Sequence, residues 1–203
     1  MTFSIIQGDL FDPAHEFDAL AQGVNTYGVM GAGIAVPFRE TWPEMYDDYK
    51  ALCTKYGATL SGLIHIWTPD PLSEAGQDEE TGIPTLYVDF GTTIYNLFSQ
   101  TAPGRDGNYG FLMKATILMR QDAEAQGFDK VGLPWIGCGI AGLQKHNVEH
   151  IFKTVLDDSE VEFILVQQDA IQQPATEEEI AHLDKTPALV DLIVRNTATG
   201  PAQ

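Results

Sequence analysis

The stretch VNTYGVMGAGIAVPFRE, residues Val24–Glu40, decides how this chain is read. An apolar run, ALAQGV, leads into Asn25 and Thr26. A loop bearing Gly28, Gly31 and Gly33 follows, and a helical pattern begins at Ile34. Glycine weakens regular structure, so such a cluster serves a tight turn, a close packing contact or a backbone that approaches a ligand. A strand feeding a glycine loop and a helix start also offers unpaired N–H groups to an anion.

Outward from that stretch the pattern alternates. Short β-rich runs stand at FSIIQ, ALAQGV, LIHIW, TTIYNLF, KVGLPWI and VEFILVQ, with helical stretches between several of them. This predicts an α/β domain with a mixed, partly parallel central sheet. One helix is expected through TWPEMYDDYKALCTKYG, capped by Thr41, with Pro43 in its first turn and Gly57 at its end. Two more are expected over about Phe111 to Gln126 and Gln144 to Asp157. The acidic, turn-rich stretch from Thr68 to Thr85 reads as a surface loop or hairpin excursion. Residues 1–168 are expected to form one domain, and 169–203 a helical or flexible extension docked on it.

A second glycine loop lies in LPWIGCGIAGLQKHN. Gly137 to Gly142 satisfies G-x-G-x-x-G between a strand and a helix, the pattern of a dinucleotide-binding turn. That motif normally opens its βαβ unit, and here only one helix and one strand follow. The favoured reading is two loops, remote in sequence, that converge on one polyphosphate; a structural glycine cluster is the alternative. The stretch HNVEH, His146 to His150, matches the H-x-x-E-H zinc template. The apolar residues Val148, Ile151, Phe152, Val155 and Leu156 define the buried stripe of that helix, so both histidines point to solvent and no metal is expected.

Composition narrows the partners. The chain has 203 residues, 11 Lys+Arg against 29 Asp+Glu, and a formal net charge of -18. Extended nucleic-acid binding needs a basic stripe to displace counterions, and none is present. No apolar run reaches membrane-spanning length. The N-terminal residues lack the pattern of a signal peptide, and Cys53 and Cys138 read as reduced thiols, so the expected compartment is the cytoplasm. An anion would have to be held by backbone N–H groups rather than by a cationic pocket.

Three motifs together, QGDLF after the first strand, VNTYGVMGAGIAVPFRE and LPWIGCGIAGLQKHNV, resemble the macrodomain family, which binds ADP-ribose. The likeness spans about Phe3 to Gln167. Its pattern is most like the DNA ADP-ribosyl glycohydrolase antitoxins and the yeast-type ADP-ribose 1″-phosphate phosphatases. The resemblance implies a three-layer α/β/α sandwich with the ligand across the strand C-terminal ends. It implies that Asp9 accepts from the adenine amino group, with the Leu10 N–H nearby; a turn role is the alternative for Asp9. Gly31, Ala32, Gly33 and Ile34 would offer N–H groups to the diphosphate. Gly137, Cys138, Gly139, Ile140 and Ala141 would close over the phosphates and the distal ribose. Asn25 would aim its amide at that ribose as the catalytic residue, against a structural strand-end role. Phe98 would pack near the adenine or ribose, against simple core packing.

The chain departs from the family's pattern where titratable groups are expected. Gln100 stands where relatives carry a lysine, Ala141 where glutamyl-specific members carry an aspartate, and Gln22 where several carry a histidine. A lysine nucleophile is therefore not expected. The expected function is hydrolysis of a small ADP-ribose derivative such as ADP-ribose 1″-phosphate, or removal of ADP-ribose from a modified target, by positioning and the substrate's own phosphate. A non-catalytic binder of ADP-ribose or a related signalling nucleotide is the alternative. No cofactor is expected. Arg105, Asp106 and Tyr109 are further polar candidates, read chiefly as an exposed turn.

Overall fold

The computed structural model describes residues 2–69, 75–77, 84–86 and 91–168. Its main sheet contains β1 (Phe3–Gln7), β2 (Ala19–Val24), β3 (Ile64–Trp67), β6 (Thr93–Phe98), β7 (Lys130–Leu133) and β8 (Glu162–Gln167). The strand order is β1-β8-β7-β2-β6-β3. All neighbours are parallel except β3, which runs antiparallel to β6. Two short strands, β4 (Ala75–Gln77) and β5 (Pro84–Leu86), pair antiparallel as a separate ribbon within the stretch read as an excursion. The extension expected over 169–203 lies outside the described residues.

Both faces of the sheet are covered, which is why its central strands read as nearly continuous apolar runs. Alternate residues go to opposite layers. Leu20, Val24, Ile94 and Phe98 share a core with Phe38, Met45 and Tyr49, carried by α1 (Ala35–Thr41) and α2 (Pro43–Tyr56). On the other face the Tyr95 hydroxyl donates to Asp122 on α3 (Tyr109–Gln126). Phe3 packs against Phe152 on α4 (Lys145–Leu156), ring centroids 5.9 Å apart. The three-layer α/β/α architecture expected from the sequence is therefore the one observed.

The helix expected from Thr41 is instead two. Thr41 closes α1, Trp42 takes a non-helical conformation (φ -127°, ψ 75°), and Pro43 opens α2. The proline ring disfavours helical geometry in the residue before it, so Trp42 breaks the run and Thr41 caps nothing. Asn108 caps α3, its Oδ1 accepting from the Phe111 N–H, and Gly127 ends it in the left-handed conformation. His146 and His150 are exposed on α4. No group of three or more metal-ligating side chains occurs among the described residues. Cys53 and Cys138 are free thiols.

The connections position the site. From β6 the chain crosses over β2 through α3 to reach β7. The C-terminal end of β2 is thus flanked by the segments that leave β6 and β7. Open α/β sheets bind ligands outside such strand ends.

Candidate functional site

A cleft of about 230 Å³ opens at those strand ends. Three segments wall it. The first is the loop after β2, with Asn25, Val29 and the run from Gly31 to Ala35. The second is the loop after β7, with Trp135, Ile136, Gly137 and the run from Gly139 to Ala141. The third, Ser99 to Gly107 after β6, contributes Ser99, Gln100, Pro103 and Gly104. No lining residue carries a formal charge.

Local hydrogen bonds hold the three walls in register. Thr26 donates both its N–H and its hydroxyl to Thr101 O, each at 3.0 Å, which ties the first loop to the third. The Gly107 N–H donates to Ala141 O at 3.0 Å, which ties the third to the second. Asp106 stiffens the third loop by accepting from the N–H groups of Thr101 and Ala102. The Tyr109 hydroxyl accepts from the Gln144 N–H at 2.9 Å, at the entry to α4. Arg105 lies across Gly142. The segment read as an exposed turn is therefore a structural wall, and its carboxylate is spent on its own loop.

Glycine is required at two points. Gly33 has φ +63°, a region that side chains disfavour. At the floor, a Cβ on Gly23 would lie 2.6 Å from Ile136 Cγ2 and 2.9 Å from Ser99 Oγ. Only a bare Cα lets the loop after β7 approach β2 so closely. Ile140 Cδ1 comes within 4.0 Å of the Cβ position at Gly33, so the two glycine loops meet across the cleft.

The loops leave donors free. Among the described residues, the N–H groups of Gly31, Ala32, Gly33 and Ile34 donate to no protein acceptor, and neither do those of Gly137, Gly139, Ile140 and Ala141. Unpaired amides on two loops that line one cleft, with no charged side chain in that lining, form an anion-binding concavity. Cys138 is the exception in the second loop. Its N–H donates to Trp135 O, it does not line the cleft, and burial pushes its thiol up to about 12, so it offers neither a donor nor a thiolate at neutral pH.

The remaining expected site residues separate. Asp9 is exposed beyond β1, outside the cleft lining, and its Oδ1 accepts from the Phe11 N–H at 3.1 Å, a local turn. Leu10 is buried in the core beneath it. Phe98 must be reassigned: it is 0% exposed, stacks on Tyr49 at 5.9 Å and belongs to the α1/α2 core. Its place in β6 turns it into the helix layer, and it is not among the residues that line the cleft. Asn25 lines the cleft, but its amide organises its own loop. Nδ2 donates to Val29 O at 2.7 Å, and Oδ1 accepts from the Tyr27 N–H at 2.9 Å. The Tyr49 hydroxyl, driven well above the usual phenol range chiefly by burial, donates to Asn25 O at 2.7 Å.

Gln22 and Gln100 each commit the amide nitrogen, while the buried Gln22 Oε1 has no protein partner. Gln100 Nε2 donates to Ala102 O. Gln22 Nε2 donates to Asn96 Oδ1 at 2.7 Å, deep in the α1/α2 layer. A second hollow, about 450 Å³, lies at the opposite strand ends and contains Asp18 and Asp122. Both carboxylates are already bonded, to the N–H groups of Asp129 and Lys130 and to the Tyr95 hydroxyl.

Sheet order, layers and cleft define the fold as that of the macrodomains. It superposes on the macrodomain of Mycobacterium tuberculosis DarG with a TM-score of 0.66 at 22% identity, over 81% of this chain and 96% of that one. It also matches Thermosipho africanus DarTG in complex with ADP-ribose, with a TM-score of 0.64 at 17% identity, over 86% of this chain and 43% of that one. No protein-family profile matches the sequence.

Sequence similarity points to particular members of that class. The chain is 25% identical to human ADP-ribose glycohydrolase OARD1 over 156 residues, 77% of this chain and 85% of that protein. It is 35% identical to the DNA ADP-ribosyl glycohydrolase of Thermus aquaticus over 69 residues, 34% of this chain and 18% of that protein. It is 41% identical to the ADP-ribose 1″-phosphate phosphatase of Aspergillus oryzae over 66 residues, 32% of this chain and 31% of that protein. The resemblance read from the three motifs is borne out.

Proposed function

We propose that this protein binds ADP-ribose through its pyrophosphate and either hydrolyses a small ADP-ribose derivative such as ADP-ribose 1″-phosphate or removes ADP-ribose from a modified target. One observation carries the reading: two remote glycine loops, whose N–H groups have no protein acceptor, line one cleft without charged side chains. Such donors suit a pyrophosphate, whose negative charge needs fixed dipoles on a molecule of net charge -18. The cleft is smaller than the several hundred Å³ typical of whole-ligand sites, so it accommodates the diphosphate and distal sugar, with the adenosine running outward along the strand ends. The names of the relatives support the same ligand.

The lining holds no titratable side chain, so chemistry here rests on orienting the substrate and on the substrate's own phosphate as base. A second reading, a binder without turnover, is favoured by the commitment of the Asn25 amide to its own loop. The free thiols support a cytoplasmic setting. Incubation with ADP-ribose 1″-phosphate, ADP-ribosylated DNA and ADP-ribosylated protein, with product quantified from each, tests the proposal. Product from at least one is expected. Tight calorimetric binding of ADP-ribose with no product from any would replace the hydrolase by the binder, and no binding would overturn both.

A further inference from the structure

We propose that the Ser99 hydroxyl is a ligand contact on the cleft floor, and that it receives a hydroxyl of the sugar beyond the pyrophosphate. This rests on the reading above and adds a specificity-determining residue to it. Ser99 stands at the exit of β6, lines the cleft and is 1% exposed, yet its Oγ has no hydrogen-bond partner. A buried hydroxyl without a partner is costly, so its retention beside an open cleft needs an explanation.

The other polar side chains of the lining are already engaged. The Asn25 amide holds its own loop, Gln100 Nε2 is bound to Ala102 O, and Trp135 Nε1 donates to Gln167 Oε1 at 2.8 Å. The Ser99 backbone is pinned as well, its N–H donating to Leu97 O at 2.7 Å and its carbonyl accepting from the Asn108 N–H at 3.0 Å. The main chain that carries the hydroxyl is thus held in place.

That place is the floor between the two glycine loops. The Cβ position on Gly23, 2.9 Å from Ser99 Oγ, is 3.7 Å from the unbonded Gly137 N. Any side chain at residue 23 would fill the space Oγ faces. The phosphates are served by the exposed amides of the walls, which only donate. A serine hydroxyl both donates and accepts, which complements an alcohol better than a phosphate oxygen.

Calorimetry of the wild type and Ser99→Ala with ADP-ribose and with ADP, which keeps the pyrophosphate and lacks the distal sugar, provides the test, alongside thermal melting. The variant is expected to melt no lower than the wild type, to bind ADP within twofold, and to bind ADP-ribose about tenfold more weakly. Ser99→Cys, similar in shape but a weak donor, should show the same pattern and covers the case in which alanine disturbs the fold. Equal weakening for ADP and ADP-ribose, or ADP-ribose binding within twofold of wild type, would overturn the role given to Ser99 while leaving the pyrophosphate site intact. A wild type that binds neither ligand would remove the pyrophosphate reading itself, and this inference with it.

Discussion

Replacing Asn25 with alanine separates a loop-building role from a direct catalytic one. The side chain is 6% exposed and supplies two close bonds within residues 25–29, Nδ2 to Val29 O at 2.7 Å and Tyr27 N–H to Oδ1 at 2.9 Å. A third, from the Val29 N–H, is longer at 3.4 Å. Alanine removes all of them and leaves the Tyr27 N–H and the Val29 carbonyl unpaired in a partly buried loop. At about 1–1.5 kcal/mol for each of the two close bonds, the loss is about 2–3 kcal/mol. For a domain of this length that corresponds to a fall in melting temperature of about 5–10 °C. The Tyr49 hydroxyl keeps its stronger acceptor, Asn25 O, so the loop should loosen rather than unfold.

Because the same loop carries Gly31 to Ile34, ADP-ribose binding should weaken along with stability. Differential scanning calorimetry of the free protein and titration with ADP-ribose read the two effects. A variant that melts within 1 °C of the wild type and binds ADP-ribose normally, yet loses turnover, would refute this reasoning and return Asn25 to direct work on the substrate.

Two further outcomes follow from buried polar groups. Asn96 sits fully buried between Gln22 and His65, accepting from Gln22 Nε2 at 2.7 Å and donating to His65 Nδ1 at 3.0 Å, which leaves His65 Nε2–H to face Asp48. Chemical denaturation should show Asn96→Ala losing about 2–4 kcal/mol, and Asp48→Ala, whose side chain is 64% exposed, losing under about 1 kcal/mol. Cys138, pushed up to about 12 mainly by burial and partly offset by Lys145, should react slowly with iodoacetamide at pH 8 in the folded protein, its rate still climbing above pH 10. Since the unfolded thiol ionises first, its contribution to stability is flat below about pH 9 and is lost as the pH rises from there toward 12. Cys138→Ala should make the alkaline loss of stability shallower.

The sequence by itself was enough for the architecture. Strands such as ALAQGV and VEFILVQ are local patterns, and a parallel strand covered on both faces must be apolar along its length, so the runs announce themselves. The glycine loops were equally legible, because unusual backbone demands leave glycine where other residues would suffice. Two loops more than a hundred residues apart could be expected to share one anion on chemistry alone, because a strongly acidic chain without a basic run leaves that work chiefly to main-chain donors.

The direction and occupancy of side chains emerged from the packed fold. In a strand buried on both faces, hydrophobicity does not distinguish the ligand side from the helix side, and Phe98 proved to lie in the core. Asn25 and Asp9 carry groups that suit a ligand as well as a turn; the distances show both bonded to their own loops. TAPGRDGNYG resembles a free turn until the Gly107–Ala141 and Thr26–Thr101 bonds show it to be a wall of the cleft. Ser99 gave no signal at all, since a serine is unremarkable in sequence. Its meaning comes from a hydroxyl left without a partner, and that is a property of three-dimensional surroundings assembled from segments far apart in the chain.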